Sequence, residues 1–151
     1  MTGYIGRFGG SSRPADMQRW TEVSTNGWSL LALMADRLAA AGVSINELRI
    51  LEVLDAMREA GISEIAARTH IQVSTVSRQV TRLIAVGSVE RAPAGSDARH
   101  RVVRLTDDGR TALAGCRAIR DALVRKHVVD VLEADEYLSL AQAFKKIGDS
   151  I

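Results

Sequence analysis

Between Ser74 and Val86 the sequence STVSRQVTRLIAV separates into two faces when its residues are set about 100° apart around a helix axis. Val76, Val80, Leu83 and Ile84 fall on one side. Thr75, Arg78 and Arg82 fall opposite, Ser74, Gln79 and Thr81 flank that outward stripe, and Ser77 lies nearer the boundary. Gly87 follows as a helix C-terminal cap. Such a helix must bury its apolar side on a core while presenting hydroxyls and guanidinium groups outward, which restricts the fold to those that display one polar helix face.

The flanking sequence narrows the choice. Ser63 can cap a short helix, SEIAART, whose Ala66 and Ala67 would allow close approach of another helix. The turn after it lacks glycine, so His70 is expected to take a positive φ, which His tolerates better than bulky residues do. Downstream, VER (89–91) and RVVRL (101–105) are short β-prone runs joined by APAGSDARH, a hairpin with a long tip.

The rest of the chain reads as helices. Residues 1–13, rich in Gly, Ser and Arg, form a flexible tail, and a helix begins near Pro14 and is interrupted by Gly27. Leu30, Leu31, Met34 and Leu38 give a stripe that ends near Gly42. Ser44 and Glu47 have capping-box spacing at the start of a helix that runs on through Leu48, Leu51, Leu54 and Met57 until Gly61 stops it. Thr106, followed by Asp107 and Asp108, caps a long helix reaching about Glu133, and a last helix from about Asp135 carries Tyr137, Leu140, Phe144, Ile147 and Ile151 every three or four residues. The fold class is therefore mainly α with a small β-hairpin wing: a winged helix-turn-helix over residues 44–109, with helices at 14–43 and 110–151 completing one compact chain.

Charge distribution says more than net charge, which is only +2. Residues 63–104 hold seven arginines against Glu64, Glu90 and Asp97, a balance of +4 that leaves −2 elsewhere. The three lysines, Lys126, Lys145 and Lys146, all lie outside this stretch, so the basic middle consists of arginines, whose planar fork suits phosphates and base edges. In a helix-turn-helix the second helix enters the major groove of duplex DNA. Arg78 and Arg82 are then placed for guanine edges or phosphates, Gln79 for adenine or phosphate, and Ser74 and Thr75 for either. Arg99, on the hairpin tip, suits the narrow minor groove, and Arg101 and Arg104 are candidates for phosphate contact.

STVSRQVTRL, VER and DARHRVVRLTDDG together resemble the MarR family of winged helix-turn-helix regulators, whose pattern includes a D-x-R wing and a strand ending in L-T-x-x-G. The resemblance covers Ser44 to Gly109 at motif level and the whole chain in element order. It implies a homodimer, with the helices of 14–43 and 110–151 as its dimerisation region and the winged domains on a pseudo-palindromic operator in double-stranded DNA. It assigns Ser74, Thr75, Ser77 and Arg78 to DNA contact, Arg99 to the wing tip, and Asp97 to holding that arginine's loop. It also implies a repressor released by a small aromatic or amphiphilic ligand, with Trp20, Trp28 and Met34 as candidate lining of the effector pocket. Two positions depart from the family pattern: His70 stands where Gly is frequent, and Ser88 where Leu is usual. The family's peroxide sensors carry a reactive cysteine near the start of the first long helix; here the one cysteine, Cys116, lies after the wing and reads as a small buried hydrophobe.

Other classes are disfavoured by the residues. His70, His100 and His127 lack metal-type spacing, no Gly-rich phosphate motif or nucleophile–base pair occurs, and no cofactor or enzymatic activity is expected. The longest apolar runs fall short of a membrane span and the N-terminus lacks a signal-type core, so no membrane partner and a cytoplasmic location are expected. The alternative is a protein-interaction or ligand-binding module on a winged-helix scaffold without DNA binding, since fold alone does not determine function.

Overall fold

A computed structural model describes residues 13–93 and 101–151. The chain divides into two units, Met1–Leu33 and Met34–Ile151, the boundary falling inside the first helix. The elements are α1 (Arg13–Ala40), α2 (Ile45–Met57), β1 (Glu59–Gly61), α3 (Ile62–Thr69), α4 (Val73–Ala85), β2 (Val89–Arg91), β3 (Val102–Leu105), α5 (Asp107–Val124) and α6 (Ala134–Gly148), with a π-helical turn over Arg125–Val129 after α5. The tail expected over 1–13 lies outside the described residues except that Arg13 opens α1.

Helix α1 runs without a break through Gly27, contrary to the interruption expected there. A single helical glycine costs only about 1 kcal/mol relative to alanine, too little to end a long helix. Helix α2 starts as its capping box predicts: the Glu47 N–H donates to Ser44 Oγ at 3.1 Å and the Ser44 N–H donates to Glu47 Oε2 at 2.8 Å.

The end of α2 differs from expectation. It stops at Met57, Arg58 turns the chain with φ 70°, and residues 59–61 form a strand rather than a last helical turn. β1 pairs antiparallel with β3 (Ala60 opposite Val103), and β3 pairs antiparallel with β2 (Val89 opposite Leu105). The hairpin is therefore part of a three-stranded sheet of order β1-β3-β2, with β3 central. Because 59–61 is a strand, Gly61 and not Ser63 is the N-cap residue of α3, and no side chain caps that helix.

Val103 and Leu105 point from β3 into a core shared with Leu48, Ile50, Leu51 and Leu54 of α2, Ile65 of α3, Val76, Val80 and Leu83 of α4, and Leu113 and Cys116 of α5. Leu38 and the half-buried Met34, at the end of α1, join the same core. Burial of such aliphatic side chains stabilises by roughly 1.5–3 kcal/mol each, which is what holds the small sheet against the helices. Outside this core Arg117 pairs with Asp55 at 2.9 Å and with Glu52 at 3.7 Å, and Arg120 pairs with Glu52, tying α5 to α2.

Thr106 caps α5 as expected, accepting from the Gly109 N–H at 3.0 Å. The continuous helix expected to about Glu133 instead ends its α-geometry at Val124 and passes through the π-helical turn. Glu133 opens α6, its N–H donating to Glu136 Oε2 at 2.9 Å in a second capping box. No single helix among the described residues is long and apolar enough to cross a membrane.

Candidate nucleic-acid interface

Helices α3 and α4 are joined at His70, which adopts the left-handed conformation (φ 54°, ψ 29°) that the glycine-free turn requires. Two polar contacts secure the end of α3. Thr69 Oγ1 donates back to the Ile65 carbonyl at 2.7 Å, and the Arg49 guanidinium of α2 donates to the Thr69 carbonyl, one of the acceptors that a helix end leaves unpaired.

Helix α4 then buries Val76, Val80 and Leu83, as its periodicity predicts, with Ile84 half-buried beside them. Ser74, Ser77, Arg78 and Arg82 are exposed, while Thr75 and Gln79 are half-buried. Ser77, placed near the buried boundary by the helical wheel, is thus on the open face. Arg78 makes no ion pair among the described residues. Its guanidinium is available on the surface.

Arg82 sits differently from Arg78. One arm of its guanidinium pairs with Glu47, whose side chain is 1% exposed, and the other donates to the Gly42 carbonyl at 3.0 Å. The periodicity of α4 correctly puts Arg82 on the outer side, but periodicity within one helix carries no information about Glu47, which comes from α2. The signal that could have found it is the capping box itself: Glu47 opens α2 and is also the acid that α2 buries.

The wing follows directly. Arg104, on the solvent side of β3, donates to Glu90 Oε1 at 2.7 Å across the β2–β3 ladder. Arg101, the residue before β3, is exposed. The ladder continues to the Ala92 N–H, which donates to the Val102 carbonyl at 3.0 Å. Asp97 and Arg99 lie outside the described residues. The root of the wing is built from backbone: the Ser88 N–H donates to the Leu83 carbonyl at 3.0 Å and its carbonyl accepts from the Thr106 N–H at 3.1 Å. Neither bond needs a leucine side chain at position 88.

Of the effector candidates, Trp20 and Trp28 are exposed on α1 and Met34 packs against the core. Two grooves of the second unit are lined by other residues. One of about 300 Å³ lies between Ala39, Val43, Glu47, Gln79 and Arg82, and a larger one, about 670 Å³, is lined by Leu54, Asp55, Arg58, Arg104 and Arg110. Cys116 is buried, and burial, with the nearby Glu47 carboxylate, raises its thiol pKa above the ordinary 9.0. No group of His, Cys, Asp and Glu among the described residues could hold a metal ion.

A helix with an open polar face, joined to its predecessor by a left-handed turn and followed by an antiparallel β-hairpin, defines a winged helix-turn-helix protein. Residues 41–100 match the sequence model of the MarR family. It is 26% identical over 113 residues to the uncharacterized HTH-type transcriptional regulator YdgJ of Bacillus subtilis, a match covering 75% of this chain and 68% of YdgJ. AbsC, a MarR family transcriptional regulator from Streptomyces coelicolor, is 25% identical and superposes with a TM-score of 0.78 over 95% of this chain and 97% of its own. A cysteine-to-serine variant of MarR from E. coli, complexed with operator DNA, is 20% identical with a TM-score of 0.75, covering 93% of this chain and 99% of its own; at that identity the likeness is one of fold.

Proposed function

We propose that the protein is a homodimeric, sequence-specific DNA-binding repressor of transcription, released from a pseudo-palindromic operator by a small aromatic or amphiphilic ligand. The observation that carries this reading is the open face of α4, where Ser74, Ser77 and Arg78, the last without an ion-pair partner among the described residues, stand exposed while Val76, Val80 and Leu83 hold the helix from behind. In the major groove these groups meet base edges and phosphates, with Thr75 and Gln79 at the margins. The wing adds a second grip: Arg101 at its base meets phosphate, and Arg99 at its tip enters the minor groove with Asp97 ordering the loop.

The apolar stripe of α6 supports the dimer. Tyr137, Leu140, Phe144 and Ile147 are all exposed in the single chain, as are Met17, Trp20, Val23, Trp28 and Leu31 on α1. Large apolar surface left open in one chain is the usual mark of a partner, and a second copy with two-fold symmetry would set two α4 helices about one helical turn of DNA apart. A ligand that prefers a dimer with a different spacing draws the population away from the DNA-competent form; Trp20, Trp28 and Met34 are the candidate contacts. A chain acting on the chromosome in this way works in the cytoplasm.

The test is fluorescence anisotropy with a labelled duplex carrying the protein's own promoter, titrated across salt concentrations. Binding whose logarithm falls linearly with the logarithm of salt supports the reading, because phosphate contacts release counterions. No binding to any duplex at low salt, or binding indifferent to salt, would favour the alternative of a protein-interaction module.

A further inference from the structure

Both ends of the helix-turn-helix are tied to the same short stretch of α2. Arg49 donates to the carbonyl of Thr69 at the end of α3, and Glu47, two residues earlier, receives Arg82 from the last turn of α4. Glu47 is buried and both its oxygens are occupied, Oε2 by the Ser44 N–H at 2.8 Å and Oε1 by Arg82. Arg82 spends its second arm on the Gly42 carbonyl at 3.0 Å, in the turn between α1 and α2. One guanidinium therefore joins three pieces of chain: that turn, the first turn of α2 and the last turn of α4.

We propose that the Glu47–Arg82 pair is a latch that sets the angle of α4 against α2, and that Arg82 is a positioning residue for the DNA-reading face and not itself a DNA contact. This rests on the proposed DNA-binding function. A buried carboxylate that loses its cation is left uncompensated beside the groove lined by Ala39, Val43 and Gln79, so the last turn of α4 must shift or admit water there. Recognition by a helix in a groove tolerates displacements of only about 0.5 Å, so a small tilt about the Arg82 end moves Ser74 and Arg78, at the other end and middle of α4, out of register.

A phosphate-contacting Arg82 and a latching Arg82 give opposite results in one experiment. DNA affinity is measured against salt for the full chain and for Arg82→Ala, Glu47→Gln and the double variant; the amide introduced by Glu47→Gln keeps an acceptor for the Ser44 N–H. The latch predicts that each single change weakens binding by about tenfold, that the double variant is no worse than either, and that the salt slope stays at its wild-type value. The latch is overturned if Glu47→Gln binds as tightly as wild type while Arg82→Ala lowers the slope by about two per dimer, the loss of one phosphate contact from each subunit. Amide hydrogen exchange on the free proteins supplies a readout independent of DNA. Faster exchange across 73–80 in both single variants, with α5 unchanged, supports the latch, and unchanged exchange in α4 overturns it. A wild-type chain that binds no duplex would sink the DNA reading while leaving the exchange result to decide the latch.

Discussion

A Cβ placed on Gly109 would sit 1.9 Å from the carbonyl oxygen of Ser88, so the first turn of α5 rests directly on the backbone entering β2. Thr106 completes the junction by donating its hydroxyl to the Gly87 carbonyl at 2.6 Å while accepting from the Gly109 N–H. The Thr-x-x-Gly spacing thus welds the end of α4, the root of the wing and the start of α5 into one joint. That joint determines where the wing stands relative to α4.

Gly109→Ala should therefore destabilise the protein by about 2 kcal/mol or more, since the methyl group meets backbone that cannot rotate away. Gly115→Ala, in the same helix with nothing within 4 Å of its added Cβ, should instead stabilise by about 0.5–1 kcal/mol through helix propensity. Urea unfolding of the two variants measures both. Equal effects would mean that the close approach to Ser88 is not maintained in solution.

At position 70 the backbone, not the imidazole, sets the requirement. His70→Val should cost about 1–2 kcal/mol because a β-branched residue clashes in the left-handed conformation, whereas His70→Gly should be neutral or mildly stabilising. Thermal unfolding in which the valine variant melts no lower than wild type would show that the turn does not need φ 54°.

Arg78 and Arg104 are both surface arginines of the basic middle, yet they should behave differently toward DNA. Arg104 is already neutralised by Glu90 at 2.7 Å, while Arg78 has no acidic partner among the described residues. Arg78→Ala should lose about 1–3 kcal/mol of binding or of base discrimination, and Arg104→Ala should change affinity little. Competition binding with operator and scrambled duplexes separates the two.

Cys116 should be a poor nucleophile. Burial, then the Glu47 charge, raises its pKa above 9.0, so at pH 8 the thiol stays protonated in the folded chain. The folded state holds that proton more tightly than the unfolded chain does, so its contribution to stability is complete below the unfolded thiol pKa and is lost as pH climbs through the folded one. A thiol reagent should modify native protein far more slowly than denatured protein, and Cys116→Ala should flatten the alkaline limb of the stability profile. Rapid native labelling would contradict the burial.

The residues that could be read from sequence are those whose partners are close along the chain. The Ser44–Glu47 box, the positive φ at His70, the two faces of α4 and the Thr106 cap are all settled within four residues, where hydrogen-bond reach and helix period leave few choices. The strand at 59–61 leaves no local trace because three residues carry no alternation signal and its pairing comes from β3, some forty residues on. The attachment of Arg82 to Glu47 is hidden for the same reason, being a contact between positions 35 residues apart. Long-range pairing is decided by packing of elements, which local pattern does not encode.

The stripe on α6 yields a prediction about assembly. Leu140, Phe144 and Ile147 are 39%, 59% and 47% exposed, spaced so that they line one side of the helix and find no cover among the described residues of their own unit. If a second copy covers them, placing a carboxylate at the centre of that contact buries an unpaired charge, which proteins tolerate poorly. Phe144→Glu combined with Ile147→Glu should then convert a dimer to a monomer in sedimentation equilibrium while far-ultraviolet circular dichroism stays helical. Operator affinity should collapse as well, since a monomer reaches only one half-site and loses the coupling of two recognition helices on one duplex. A double variant that remains dimeric would place the interface elsewhere and remove α6 from it.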